Sequence, residues 1–274
     1  MRLIQSKYIP SSDPWEPNFC GEFVSIKKVP CFLYKDRQTV CMLLLTSDMP
    51  TVLSLETGKD LLPLPSKWVV LEHDGQPFLM PTPNYAIDLQ QEKQLLSVPG
   101  FLQADYLVHA KPEMYFETHS FVFGEYCISH KGSCGYTCRK ADKDIWTFAG
   151  KAYLYTDIGR WKNRIFFGTA GYGGYFYILD IDTGKPLVSI KTGGTASVFQ
   201  KDNLCFIASK GNKRNNSKLL CVDMNDGKIV QELDLYGGVT EDSKLQMIDQ
   251  QIHAVTFEYR GDRLQNAIWN VVSI

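Results

Sequence analysis

The sequence predicts an all-β fold built from a repeat of about 42 residues, and three observations carry that reading. Short apolar runs rich in Val, Ile, Leu, Phe and Tyr recur along the 274 residues, bounded by Gly, Pro, Asn and Asp. β-Branched and aromatic side chains of this kind fit a pleated, half-buried surface. No long stretch combines a helical period with capping residues. The same turn sequence returns at similar intervals.

The runs are VCMLLL, SFVFGEYCI, RIFFGT, YFYILDI, LCFIA, KLLCVDM, HAVTFEY and AIWNVVSI. Two copies of the turn are nearly superimposable: Tyr177-Ile-Leu-Asp-Ile-Asp-Thr-Gly-Lys185 and Leu219-Leu-Cys-Val-Asp-Met-Asn-Asp-Gly-Lys228. A third reads Val52-Leu-Ser-Leu-Glu-Thr-Gly-Lys59, and degenerate copies end at Lys93 and Lys143. The turn lysines at 59, 93, 143, 185 and 228 are separated by 34, 50, 42 and 43 residues. That interval suits a four-stranded blade of a β-propeller. Asp or Thr bonds the local backbone, and Gly takes a positive φ, so each turn closes a hairpin between the third and outer strands.

The outer strands then fall at Asp60–Pro65, Gln94–Pro99, Asp144–Phe148, Pro186–Lys191 and Ile229–Leu235. A sixth set begins around Lys244–Asp249, continues through Gln251–Tyr259 and ends with Leu264–Ile274, leaving its outer strand to the N-terminal Arg2–Ile9. Closure by the N-terminal strand covers an edge that would otherwise invite pairing. The expectation is one domain over residues 1–274 with six blades. Seven is the alternative if the 50-residue step hides further strands.

The strand–Asp-x-x-Thr-Gly-Lys–strand pattern, once followed by the Trp-bearing segment Asp144-Ile-Trp-Thr-Phe148, resembles the repeat of quinoprotein-like (pyrroloquinoline-quinone-type) β-propellers. The resemblance spans five turns across residues 52–237 and implies the fold. It does not extend to the cofactor. The chain has no adjacent Cys-Cys pair, fewer blades than the eight of those enzymes, and no secretory signal in MRLIQSKYIP. No cofactor is expected.

In such a fold the strands are scaffold and binding lies on loops. The candidate loops are Ser11–Asn18, Ser129–Gly135, Thr169–Gly174, Lys210–Lys218 and Arg260–Arg263. Lys210, Lys213, Arg214 and Lys218 put four positive charges and no acid in one loop, suited either to solvent or to an acidic protein partner. Arg260 and Arg263 add to this, and Tyr172, in Gly-Thr-Ala-Gly-Tyr-Gly-Gly, offers an aromatic anchor. Trp15 is a second anchor or a wedge between blades. The Gly-rich loop leads into a strand, so it lacks the helix N-terminus of a phosphate cradle.

Eight cysteines without a secretory signal are expected to be reduced, several of them in strand cores. Cys127, His130, Cys134 and Cys138 are the one cluster with soft ligands in reach of a zinc ion, though their spacing matches no familiar site. Asp180-Ile-Asp182 and Asp223-Met-Asn225 resemble calcium loops but place Lys where Gly or Glu is required.

Lys and Arg number 29 against 30 acids, which excludes the basic excess of a nucleic-acid binder, and no apolar run approaches a membrane span. Catalytic motifs are absent. The sequence therefore favours a monomeric, cytoplasmic, non-enzymatic module that binds another protein, for example an inhibitor or immunity protein capping a toxin. The alternative is a lyase or hydrolase acting on a sugar or lactone in a central funnel, with Asp105, His109, Asp157 and His253 as candidate groups.

Overall fold

A computed structural model describes residues 1–11, 21–36, 39–44, 51–52, 68–109, 119–131, 135–170, 173–211, 217–240, 242–261 and 263–274. Trp15, Cys20, Cys134, Tyr172, Lys213, Arg214, the turn ending at Lys59 and the strand expected at Asp60–Pro65 lie outside these residues.

Strand β1 (Arg2–Tyr8) opens the chain. The first sheet follows as β2 (Gly21–Ile26), β3 (Val29–Asp36), β4 (Thr39–Leu44) and β5 (Thr51–Val52). The second is β6 (Val69–His73), β7 (Gln76–Thr82), β8 (Tyr85–Asp88) and β9 (Lys93–Gln94), and helix α1 (Gly100–His109) comes after it. The third is β10 (His119–Phe123), β11 (Tyr126–Lys131), β12 (Gly135–Lys140) and β13 (Lys143–Ala149). The fourth has a split first strand, β14 (Tyr153–Leu154) and β15 (Gly159–Trp161), then β16 (Arg164–Ala170), β17 (Tyr175–Asp180) and β18 (Pro186–Lys191). The fifth is β19 (Thr195–Lys201), β20 (Leu204–Ser209), β21 (Lys218–Asp223) and β22 (Ile229–Asp234). The sixth comprises β23 (Lys244–Ile248), β24 (Gln251–Arg260) and β25 (Arg263–Ser273), and β1 pairs antiparallel with β25 as its outer strand.

Each sheet is antiparallel and ordered as the chain runs, the sixth alone taking its fourth strand from the N-terminal segment. This is the blade complement of the expected six-bladed β-propeller, with the outer strand of the last blade supplied as the sequence predicts. The 50-residue step is accounted for, among the described residues, by α1 and not by further strands. Three of the expected outer strands match their sheets closely: Asp144–Phe148 lies within β13, Pro186–Lys191 is β18, and Ile229–Leu235 is found as Ile229–Asp234.

The expected strand Gln94–Pro99 is corrected: pairing ends at Gln94, and the chain turns into α1. Pro99 has no N–H to give a ladder, and its carbonyl accepts from Gln103 N (3.2 Å) in the first turn of the helix. Contacts divide the chain into two compact units. One holds Met1–Tyr8, Pro112–Glu258 and Ala267–Ile274; the other holds Ile9–Lys111 and Tyr259–Asn266.

Within the first unit the cores lie between successive sheets. Tyr126, Ile128, Tyr136 and Cys138 of the third sheet pack with Ile165, Phe167, Tyr177 and Leu179 of the fourth. Phe166, Phe176 and Ile178 of the fourth pack with Cys205, Ile207 and Val222 of the fifth. In the second unit Ile26, Leu33, Leu79 and Ile87 form a core. Another there joins Leu71, Phe78 and Met80 to Leu102 of α1. The central strands of the fourth and fifth sheets are buried along most of their length and read as continuous apolar runs, whereas β12 of the third alternates buried and part-exposed residues.

The repeat turn is the joint between neighbouring sheets in the first unit. In the fourth sheet the Asp180 carboxylate accepts from Thr183 N (2.9 Å) and Thr183 Oγ1 (2.8 Å), and Gly184 N donates to Asp180 O (2.9 Å). Asp223 does the same work in the fifth, accepting from Asn225 N (2.7 Å). Both apparent calcium loops are therefore occupied by their own backbone. Trp146 of β13 lays its indole over Gly184 and donates its N–H to Ile181 O (2.7 Å). Gly184, at φ 66°, leaves no room for a side chain: a methyl there would fall 2.5 Å from the Trp146 ring. Three residues after the turn lysine of the next repeat, Val188 covers Gly227 in the same way.

Candidate functional site

An antiparallel sheet of this topology has two unlike ends. The first-to-second and third-to-outer connections lie at one end, here called the turn end. The second-to-third connections and the links to the following sheet lie at the other, the loop end. Where they are described, the flanks of the expected binding loops at 129–135, 169–174, 210–218 and 260–263 lie at the loop end, and the turns ending at Lys185 and Lys228 lie at the turn end, because strand direction alternates.

Several loop boundaries need correction. Ser129, His130 and Lys131 belong to β11, and Thr169 and Ala170 close β16. Lys218 opens β21, while Arg260 and Arg263 are the last residue of β24 and the first of β25. Backbone pairing outcompetes loop formation wherever a partner strand continues opposite: Ser129 faces Thr137, and Lys218 faces Asp234.

The partner-binding candidates accordingly differ from one another. Lys218 Nζ lies 2.6 Å from Glu232 Oε2, so its charge is already answered, and that carboxylate holds its amine above the usual lysine range. Lys210 is exposed and makes no ion pair among the described residues. Arg260 and Arg263 are exposed at the tip of the β24–β25 hairpin. Trp15, Tyr172, Lys213 and Arg214 lie outside the described residues.

The soft-ligand cluster does not converge where it is described. Cys127 and His130 are three apart on β11 and so face opposite sides of the sheet. His130 is buried against the Tyr136 ring, with centroids 5.2 Å apart, and Cys138 shares that side as the cross-strand partner of Ile128. Burial pushes the Cys138 thiol up to about 11, the direction opposite to a poised thiolate ligand. Cys134 lies outside the described residues. Among the described residues Cys31, Cys41, Cys138, Cys205 and Cys221 are buried strand residues, free of disulfides.

The groups named for the enzymatic alternative are scattered. Asp105 and His109 sit on α1, not on an inner strand, and Asp157 is exposed between β14 and β15. His253, on β24, is stacked with Trp269 and accepts its indole N–H at Nδ1 (3.0 Å). Burial holds that imidazole down to about 4, so it is neutral at neutral pH and acts as a core hydrogen-bond acceptor.

What the sequence did not single out is the distribution of exposed tyrosine. Among the described residues the exposed tyrosines are Tyr8 (55%), Tyr153 (40%), Tyr236 (53%) and Tyr259 (43%). Tyr8 ends β1, Tyr153 begins β14, Tyr236 follows β22 and Tyr259 lies one residue from the end of β24. Each of these is the loop end of its own sheet. Exposed aliphatics such as Leu187, Ile229 and Val230 lie instead along outer strands. Tyr8 and Tyr236 gather beside Glu258, whose charge holds the Tyr8 phenol above its ordinary range. The signal was available in sequence only as tyrosines at strand termini, separated by tens to hundreds of residues.

Among the described residues no helix is long and apolar enough to cross a membrane. The chain matches no protein-family model and no curated protein. Among solved structures it is similar to BamB from Moraxella catarrhalis, at 10% identity and a TM-score of 0.42, over 89% of this chain and 70% of that one. It is similar to the computationally designed Ika4 protein at 13% identity and a TM-score of 0.40, over 50% of this chain and 82% of that one. A europium-containing methanol dehydrogenase is similar at 16% identity and a TM-score of 0.35, over 41% of this chain and 23% of that one.

Proposed function

We propose that this chain is a non-enzymatic, cytoplasmic protein-binding module whose partner seats on the loop end of its sheets. The observation that carries the reading is the gathering of exposed tyrosines at that end of every sheet that has one. Tyrosine supplies a large amphipathic contact with little side-chain entropy to lose, which is why it is enriched where proteins meet. A concrete form is an inhibitor or immunity protein that caps a toxin, with Arg260, Arg263 and Lys210 meeting acidic surface around the tyrosine anchors. Such a role asks for a rigid scaffold and no catalytic group.

The test is site-specific photo-crosslinking. A benzophenone side chain replaces Tyr236 in one variant and Leu187, on the outer strand β18, in another. Expressed in its native cytoplasm, the Tyr236 variant is expected to give one discrete adduct that the Leu187 variant does not. Adducts of equal yield from both positions, or from neither, would sink the assignment of the loop end.

A further inference from the structure

We propose that Lys151, Tyr175, Lys191 and Lys210 form one subsite for an extended, acidic segment of a partner protein, with the lysines meeting carboxylates and Tyr175 lying beneath the chain. This rests on the loop end being the protein-binding end, and it names the chemistry of what binds there.

The four residues come from separate segments of the chain, yet contacts link them in sequence. Lys151, in the connection from β13 to β14, donates its backbone N–H to Tyr177 Oη (3.0 Å) and holds its amine 5.2 Å from the centre of the Tyr175 ring. Tyr175 and Tyr177 stack with centroids 5.7 Å apart. Tyr175 is the cross-strand partner of Lys191, the last residue of β18. A methyl at Gly173 would lie 3.9 Å from Lys191 Cε, and one at Gly174 would lie 2.8 Å from Gly194 Cα. A methyl at Gly194 would in turn lie 3.1 Å from Lys210 Cδ. The strip therefore runs from the third-to-fourth connection across the fourth sheet to the fifth.

Lys151, Lys191 and Lys210 are exposed, and none of them makes an ion pair among the described residues. Three other lysines of the first unit are answered by acids: Lys140 by Glu125 (3.1 Å), Lys218 by Glu232 (2.6 Å) and Lys228 by Asp226 (2.9 Å). Three unanswered like charges in one strip repel one another and favour an anionic partner.

The chemistry of that partner is narrowed by what the backbone withholds. Beneath the strip, Gly193 N donates to Gly174 O (3.1 Å) and Gly194 N is directed at Thr192 Oγ1 (3.4 Å). Thr192 Oγ1 pairs with Thr195 Oγ1 (2.9 Å), and Ser209 Oγ donates to Thr192 O (2.8 Å). The Gly193 and Gly194 amides are thus spent inside the sheet and do not form a nest for a phosphate. Recognition falls to separated ammonium groups around an aromatic face, which suits carboxylates spaced along an extended peptide. A net charge of -1 for the whole chain argues against a nucleic acid backbone as the occupant.

The experiment uses the full chain and three fluorescein-labelled probes of equal length: a peptide alternating Glu with Leu, the same peptide with Gln for Glu, and a single-stranded oligothymidine. Anisotropy is measured at two salt concentrations. The Glu peptide is expected to bind, weaken with salt and lose about ten-fold or more in affinity in K151E/K191E/K210E, as exposed charge contacts of modest individual strength would add up to. Reversal of Lys162 and Lys185, at the turn end, is expected to change it less than two-fold, as charges outside the contact should. Equal binding by the triple variant, equal binding of the Gln peptide, or tighter binding of the oligothymidine would each overturn the proposal. The same triple variant is then carried into the Tyr236 crosslinking assay. An adduct retained there while the Glu peptide never binds removes the acidic subsite and leaves the protein-binding end standing; loss of Tyr236 specificity removes both.

Discussion

The turn end and the loop end of the sheets in the first unit use the same polar residue types to opposite effect. At the turn end several charged groups are tied up locally, although Lys162 and Lys185 remain exposed there. Asp180 and Asp223 bond the backbone of their own turns, and Lys140 is tied to Glu125 and to Tyr126 Oη (2.8 Å). Tyr126 in turn donates to Asp182 (2.6 Å), which holds that carboxylate below its usual range. At the loop end Lys151, Lys191 and Lys210 answer no acid among the described residues, and Tyr153 and Tyr236 are exposed. The turn end joins sheet to sheet, and the interface proposed above lies at the loop end. Substitutions should therefore cost stability at the first and binding at the second.

The largest effect is expected at Trp146. It is 8% exposed, packs in the core between the third and fourth sheets, and bonds Ile181 O across them. Trp146→Ala should cost about 3–5 kcal/mol, the range for deleting a buried aromatic side chain. Urea unfolding of the variant measures it. A cost of less than about 1 kcal/mol, the scale of an ordinary surface change, would show that the indole is an ornament of the turn and not its joint.

A smaller effect is expected at Gly227, the equivalent of Gly184 one sheet later. Its φ of 71° is strained for any L side chain, and a methyl would fall 1.8 Å from Val188 Cγ2. Gly227→Ala should cost about 1–3 kcal/mol from crowding and backbone strain together. The double variant with Val188→Ala separates the two. If crowding matters, the pair costs less than the sum of the single changes; strict additivity would leave backbone strain as the sole cause.

The turns were legible in sequence because the motif is local, whereas their packing against Trp146 and Val188 of the preceding sheets was not. Asp, Gly and Lys at fixed offsets close one hairpin, and the Trp follows three residues later in the neighbouring repeat. The placement of the N-terminal strand was legible for the same reason, since the sixth set lacked one member. Helix α1 was not, because it is ten residues long, opens on Gly100 after a proline and has no acidic residue in its first turn. Nor were the two-residue turns at Lys27-Lys28, Ala141-Asp142 and Asp249-Gln250, where non-glycine residues take positive φ between well-paired strands. Tertiary pairing overrides their preference. Ala141-Asp142 also explains why the copy ending at Lys143 looked degenerate: it is a tighter turn, not a worn version of the longer one.

The candidate site was the least legible part. Lys210 stood out in a charge run, but Lys151, Tyr175 and Lys191 carry no local signature and belong to the β13–β14 connection, β17 and β18 respectively. Only the register of β17 with β18 and the approach of Gly174 to Gly194 bring them together. Charge runs are visible in sequence; a strip assembled by register is not.

The smallest stability effect is expected where the comparison is sharpest. Tyr153 and Tyr236 lie at the loop end with much of each ring in water, so Tyr153→Ser and Tyr236→Ser remove little buried area. Each should change unfolding free energy by no more than about 0.5 kcal/mol, as surface substitutions do. Tyr236 N is held by Asn270 Oδ1 (3.2 Å) through the backbone, a contact that survives the change of side chain. Thermal or urea unfolding supplies the measurement, and partner capture on the same preparations supplies the second axis. Lost binding at unchanged stability would place these rings in an interface. A loss of stability approaching that of Gly227→Ala would instead make them part of the scaffold, and the distinction between the two ends would fail at the residues chosen to define it.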